Sequence, residues 1–177
     1  MALMSLILLL VPIIIIALIT IKDSKGPAFF SQQRSGKHRT KFRIYKFRSM
    51  PCTVSPNIPS NELDSLHLTK WQRWIRRSSL DELPQLYNIL IGDMSFVGPR
   101  PVICEEQSLI DERDKYGAND VLPGLTGWAQ VNGRDTLDYV TKARLDGEYV
   151  RHISFWWDMK CLYLTFFSVL KQQDIIH

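Results

Sequence analysis

RRSSLDELPQLYNILIGDMSFVGPRP, residues 76–101, is the stretch around which the rest of the chain is organised. Leu83, Leu86, Tyr87 and Leu90 recur at i, i+3, i+4 and i+7, a spacing that predicts a short amphipathic helix. Two adjacent carboxylates, Asp81 and Glu82, stand just ahead of that stripe. Arg76 and Arg77 precede them, and Arg100 follows between Pro99 and Pro101. Acids at a helix start, ringed by arginines, suit phosphoryl chemistry. Guanidinium groups hold phosphate oxygens in bidentate geometry, and a helix N-terminus favours negative charge. A carboxylate kept ionised there can attack phosphorus. A plainer reading uses the same letters: Ser79-Leu80-Asp81-Glu82 is S-x-x-E, a capping box, and Pro84 suits a first helical position. The local pattern leaves both open.

The chain has 177 residues, the length of one domain with a modest core. Its three cysteines, Cys52, Cys104 and Cys161, are widely spaced and form no C-x-x-C pair, so neither a disulfide framework nor a zinc site is signalled. A reducing, cytoplasmic setting follows. The four histidines are scattered, which leaves Ser-His and Cys-His nucleophile schemes with little support. The net charge of +4 is uneven: residues 22–50 hold nine Lys/Arg against Asp23 alone, a balance of +8, so the remainder sums to −4. A basic block after an apolar segment attracts anionic headgroups, at roughly 1 kcal/mol per cation near the surface. Phe42, Tyr45 and Phe47 interleave those cations as in some nucleic-acid binders. Membrane apposition already explains the charge, so no nucleic-acid partner is expected.

Ala2 to Ile21 is apolar except for Ser5 and Thr20. As a straight helix it would reach about 30 Å, just enough to cross a bilayer. Pro12 removes one backbone hydrogen bond and predicts a kink. Either the segment spans, with the basic flank cytoplasmic, or the proline breaks it and both ends stay on one face. The expected division is a membrane helix over 1–21 and a catalytic domain over 22–177. Ala28–Gln32 and Lys41–Lys46 read as short strands across a turn at Arg34–Thr40. Pro51–Ser60 reads as a loop. Leu68, Trp71, Trp74 and Ile75 mark a second amphipathic helix, whose indoles suit either a core or the headgroup level.

Residues 102–118 read as a polar, exposed helix. Its acids Glu105, Glu106, Asp111, Glu112 and Asp114 mix with Arg113 and Lys115 as a solvated face rather than a metal site. Leu122–Asp135, LPGLTGWAQVNGRD, reads as a loop whose glycines let backbone approach a ligand. Neither a Walker-A nor a dinucleotide fingerprint occurs. Arg134 at its end suits a diphosphate, or a pair with Asp135 or Asp138. Ile153–Lys171 is a helix apolar on most sides, read as lying in a membrane interface. Asp158 on so apolar a helix needs a partner or a task. The fold expected is mainly α with minor β.

LDELPQLYNILIGDMSFVGPRP, with KFRSM (Lys46–Met50) upstream and LPGLTGWAQVNGRD downstream, closely resembles the bacterial sugar transferases, the small monotopic phosphoglycosyl transferases, from about residue 5 to residue 170. The resemblance implies transfer of a phosphosugar from a UDP-sugar to undecaprenyl (polyprenol) phosphate, releasing UMP, as a first membrane step of bacterial glycoconjugate synthesis. It implies a re-entrant N-terminal helix at the cytoplasmic face of the inner membrane. The chain departs from the family pattern in carrying Val11 before Pro12, where a Ser is usual. By the same resemblance Asp81 is the nucleophile, forming a covalent aspartyl-phosphosugar. Glu82 is the Mg²⁺ ligand, with Asp81 a second candidate. Arg76, Arg100 and Arg134 are phosphate clamps; Lys46, Asp146 and Asp158 match further substrate-binding motif positions. Two rivals stand beside this: a membrane-bound aspartyl-phosphate hydrolase, and a non-enzymatic membrane scaffold. The sugar, the glycan and the oligomeric state are not written in these motifs.

Overall fold

The computed structural model describes residues 8–52, 54, 68–133 and 136–171. Helices dominate, with small sheets, as the patterning predicts. In chain order they are α1 (Leu10–Asp23), β1 (Phe29–Ser35), β2 (Lys41–Phe47), α2 (Lys70–Arg77), α3 (Gln85–Ile91), β3 (Ser95–Val97), β4 (Val102–Ile103), α4 (Gln107–Asp114), β5 (Gly124–Thr126), α5 (Trp128–Val131), α6 (Tyr139–Arg151) and α7 (Phe155–Lys171). Strand order is β2-β1-β4 in one sheet and β3-β5 in the other. The chain divides into two compact units. Of the described residues, one takes those within 8–32 and 43–91; the other takes those within 33–42 and 92–171.

In the first unit, α1 begins after Leu9, whose dihedrals (φ −95°, ψ 3°) are not those of a regular cap. Pro12 explains the break: lacking an N–H, it cannot bond the Leu8 carbonyl. Among the described residues no helix is long and apolar enough to cross a membrane. Ile16 of α1, Phe47 of β2 and Ile75 of α2 form the core, with Ile13, Ala17, Trp71, Leu80 and Leu83 against it. α2 starts on a full capping box, Thr69 accepting from Gln72 N and Gln72 accepting from Thr69 N. Its two indoles take different roles. Trp71 is half-buried and donates to Thr20 Oγ1 at 3.1 Å, while Trp74 is half exposed. The loop expected over Pro51–Ser60 lies mostly outside the described residues.

The stripe expected on α3 is only partly inside. Leu86 is buried, but Tyr87 and Leu90 are exposed, and the deepest residue is polar. Asn88 donates to the Arg43 carbonyl (2.8 Å) and accepts from Tyr45 N (3.2 Å), welding α3 to β2. Periodicity cannot find such a residue, because its burial depends on backbone groups 43–45 residues away.

The second unit corrects several readings. Residues 102–118 are not one helix: β4 pairs antiparallel with β1 (Arg34↔Ile103, Ser35↔Val102) before α4 begins. α4 buries Leu109 and Ile110 and, with them, Arg113, which is therefore no part of a solvated face. The stretch after Leu122 is not a plain loop, since β5 pairs parallel with β3 (Ser95↔Gly124, Val97↔Thr126) and α5 follows. Its glycines admit backbone. A Cβ on Gly124 would stand 2.1 Å from Gly98 N, and one on Gly127 would stand 2.1 Å from Gly98 O. α6, which the sequence reading did not separate, starts on Asp138, whose carboxylate accepts from Val140 N and Thr141 N. Val102, Leu109, Ile110 and Ala143 make one core cluster, and Val97, Tyr149 and Cys161 another.

Candidate active site

The two adjacent acids sit on a one-turn 3₁₀ segment, Leu80–Glu82, wedged between α2 and α3. Ser79 opens it in the left-handed region (φ 55°, ψ 17°), a conformation that costs a non-glycine residue roughly 1–2 kcal/mol. Its side chain makes no capping bond, so the S-x-x-E pattern does not form a capping box here. The turn closes through Glu82 N to Ser79 O (3.2 Å) and Leu83 N to Leu80 O (3.3 Å). What it achieves is placement: Asp81 and Glu82 are each only 9% exposed.

Burying two neighbouring carboxylates is unfavourable without compensation. β2 and the residues after it supply part of it. Lys46 Nζ lies 2.7 Å from Glu82 Oε1, both side chains mostly buried. Ser49 Oγ donates to Asp81 Oδ2 at 3.3 Å. The structure thus brings together Lys46, Asp81 and Glu82 of the expected residues, and adds Ser49, which lies inside KFRSM and whose hydroxyl the sequence alone could not orient. Arg76 stands in the last turn of α2, half-buried, and ion-pairs with no described residue. Several cations of the basic block are engaged internally, among them Lys46 with Glu82, Arg39 with Asp111 and Asp114, and Arg48 with backbone carbonyls.

The other expected residues belong to the second unit, apart from Arg134, which lies outside the described residues. Asp146 is 1% exposed; its Oδ2 accepts a hydrogen bond from Arg113 Nε (2.8 Å) and lies in ion-pair contact with Nη2 (2.6 Å). Burial pushes this carboxyl above the usual range, while the guanidinium pulls it down. Arg113 Nη1 also donates to the Arg100 carbonyl at 3.0 Å, so this pair braces the turn between Pro99 and Pro101. Asp158 finds its partner in Tyr149, whose hydroxyl lies 2.9 Å from Asp158 Oδ1 and 3.1 Å from the Val97 carbonyl. Burial and that carboxylate push the phenol well above its ordinary value. Burial likewise raises the Cys161 thiol to about 11. Arg113 was legible in principle, since Leu109, Ile110 and Arg113 share one helical face.

Among the described residues no group of three or more His, Cys, Asp or Glu gathers as a metal cage. Mg²⁺ does not require one: it takes one or two carboxylates and fills its octahedron with water and substrate phosphates. The adjacent acids at 81 and 82 fit that donor set.

Known proteins resemble most of the chain. The uncharacterized sugar transferase EpsL of Bacillus subtilis is 45% identical over 151 residues, 85% of this chain and 73% of its own. The undecaprenyl-phosphate glucose phosphotransferase of Komagataeibacter xylinus is 42% identical over 173 residues, 90% of this chain but 32% of its own. The undecaprenyl-phosphate galactose phosphotransferase of Salmonella typhimurium is 39% identical over 166 residues, 83% and 34% respectively. This chain therefore spans about a third of the length of those two phosphotransferases. The family described as bacterial sugar transferase matches residues 1–172, nearly end to end, and the chain belongs to it.

Proposed function

We propose that this chain transfers a phosphosugar from a UDP-sugar to polyprenol phosphate, with Asp81 as the covalent nucleophile. The observation that carries this reading is the turn at Leu80–Glu82, which presents two adjacent, nearly buried carboxylates beside an ammonium and a hydroxyl. The family's phosphotransferases, named for glucose or galactose on undecaprenyl phosphate, supply the substrate class.

In the first half-reaction a carboxylate oxygen of Asp81 forms a bond to the phosphorus that bears the sugar. The bond from that phosphorus to UMP breaks, and UMP leaves with the electron pair. In the second, a phosphate oxygen of the polyprenol attacks the same phosphorus, and Asp81 is released as carboxylate. Ser49 steadies the nucleophile's carboxylate, and Lys46 holds Glu82 in place. Arg76 clamps donor phosphate. Arg100 and Arg134 are proposed as further phosphate ligands on the strength of the sequence alone. Asp146 and Asp158, engaged by Arg113 and Tyr149, act by holding structure. Glu82, with Asp81, would hold Mg²⁺, which when bound spreads charge developing on the diphosphate.

The reaction belongs at the cytoplasmic face of the bacterial inner membrane. Two apolar surfaces support that seat. Within the first unit, α1 exposes Leu10, Val11, Ile14, Ile15 and Leu18; within the second, α7 exposes Phe155, Trp156, Tyr163 and Phe166. With both ends of 1–21 on one face, the proline-broken segment enters and returns.

The test is incubation with UDP-glucose or UDP-galactose radiolabelled in the sugar, without acceptor. Label should enter the protein with release of UMP, map to Asp81, and leave on addition of undecaprenyl phosphate. Persistence of label on Asp81→Asn, or its mapping to another position, would refute the assignment.

A further inference from the structure

KFRSM faces two ways. Lys46 and Ser49 hold Glu82 and Asp81, as described. Arg48, between them, reaches the end of α1. Its side chain is almost wholly buried, and no carboxylate among the described residues pairs with it. Nε donates to the Pro27 carbonyl at 2.7 Å. Nη1 donates to Ser24 Oγ (2.8 Å) and the Lys25 carbonyl (3.1 Å); Nη2 donates to the carbonyls of Ser24 (2.7 Å), Thr20 (3.2 Å) and Gly26 (3.4 Å). One planar fork gathers the last turn of the helix and the four residues beyond it.

A cation at a helix C-terminus is well placed in the field of the peptide dipoles. Even so, a buried guanidinium answered only by neutral oxygens is an expensive way to fill space that a methionine could occupy. Rigidity of connection is what the arrangement gains. Two more bonds fix the same helix end from the side of α2: Trp71 Nε1 to Thr20 Oγ1 (3.1 Å) and Thr69 Oγ1 to Asp23 Oδ2 (2.7 Å). α2 leads directly into the turn that bears Asp81. The end of α1 is therefore gripped by both segments that set the position of the acids.

We propose that Arg48 is a positioning residue which fixes Asp81 and Glu82 against the C-terminal end of α1, so that attack by Asp81 depends on α1 being seated in a bilayer. This rests on the reading of Asp81 as nucleophile. The full chain is assayed for sugar label entering the protein, and for UMP release with donor and acceptor, in phosphatidylglycerol–phosphatidylethanolamine vesicles and in neutral detergent micelles. Wild type should react faster in vesicles. Arg48→Gln should lose roughly a hundredfold in kcat, the scale of an ångström-level misplacement, with donor KM little changed. Its vesicle and micelle rates should become equal. Arg48→Lys, which keeps the charge and part of the bonding, should fall between.

A purely structural role would lower the melting temperature and both rates alike, preserving the wild-type ratio of vesicle to micelle. That preserved ratio, or an unchanged kcat in Arg48→Gln, overturns the positioning role while leaving a labelled Asp81 intact. Should Arg48→Gln fail to fold, the ratio measured on Arg48→Lys decides in the same way. A wild-type chain that takes no label overturns the nucleophile and the positioning role together.

Discussion

Arg113→Met isolates the energetics of the buried pair in the second unit. The substitution keeps bulk and removes two hydrogen bonds, one to Asp146 Oδ2 and one to the Arg100 carbonyl, together with the ion pair to Asp146. Asp146, 1% exposed, is left as an uncompensated charge, and breaking a buried pair from one side costs about 3–5 kcal/mol. The carboxyl has an escape, because it can take up a proton. Its folded pKa, already raised by burial with Arg113 present, rises further without it. A carboxyl whose folded pKa exceeds its unfolded value costs nothing below the unfolded value. The cost grows as pH climbs, until the group ionises in the folded state too. The deficit of Arg113→Met should therefore be greatest near pH 8 and shrink toward pH 5, by up to about 1.4 kcal/mol per unit within the window. Denaturant unfolding of variant and wild type at matched pH measures it. Arg113→Met/Asp146→Asn should recover much of the loss at pH 8 and flatten the pH dependence. A deficit independent of pH, with no recovery in the double variant, would mean that packing rather than charge holds this site.

Two further outcomes follow from the same unit. Cys161 and Tyr149 both have raised folded pKa values, the thiol at about 11, so their contribution is intact below their unfolded values and is lost as pH rises through the folded ones. Unfolding curves should shift to lower denaturant in alkali, and at pH 8 iodoacetamide should modify exposed Cys52 while sparing Cys161, read by peptide mass spectrometry. Gly124→Ala would set a Cβ 2.1 Å from Gly98 N and 2.3 Å from Thr126 O, a clash with backbone that no rotamer relieves. A loss of at least about 1–3 kcal/mol, the scale of overpacking, should appear as a lower melting temperature.

Much of the helical content was legible because it is periodic. α2 and α7 fall where Leu68–Ile75 and Ile153–Lys171 predict them, and the hairpin of β1 and β2 lies within three residues of its expected span. What escaped was determined by distant partners. The β3–β5 ladder joins strands of three residues each, too short to carry a period, through glycines whose small size serves backbone contact. Arg113 shares a helical face with Leu109 and Ile110, but the partner for its charge is not evident until α6 supplies Asp146. Around the acids, Asp81 and Glu82 stood out by type and adjacency, and Lys46 by its motif. The left-handed Ser79 and the buried amide of Asn88 leave no mark in composition.

That amide has a wider consequence. Residues 78–84 bridge two immovable piers, α2 anchored by Ile75 and Gln72, α3 anchored by Asn88 and Leu86, all four almost entirely enclosed. A span fastened at both ends has a fixed contour length, so inserting or deleting a single residue there must either dislodge a pier or swing the carboxylates away. Exchanging a side chain elsewhere on this bridge leaves its span intact, which a change of length cannot do.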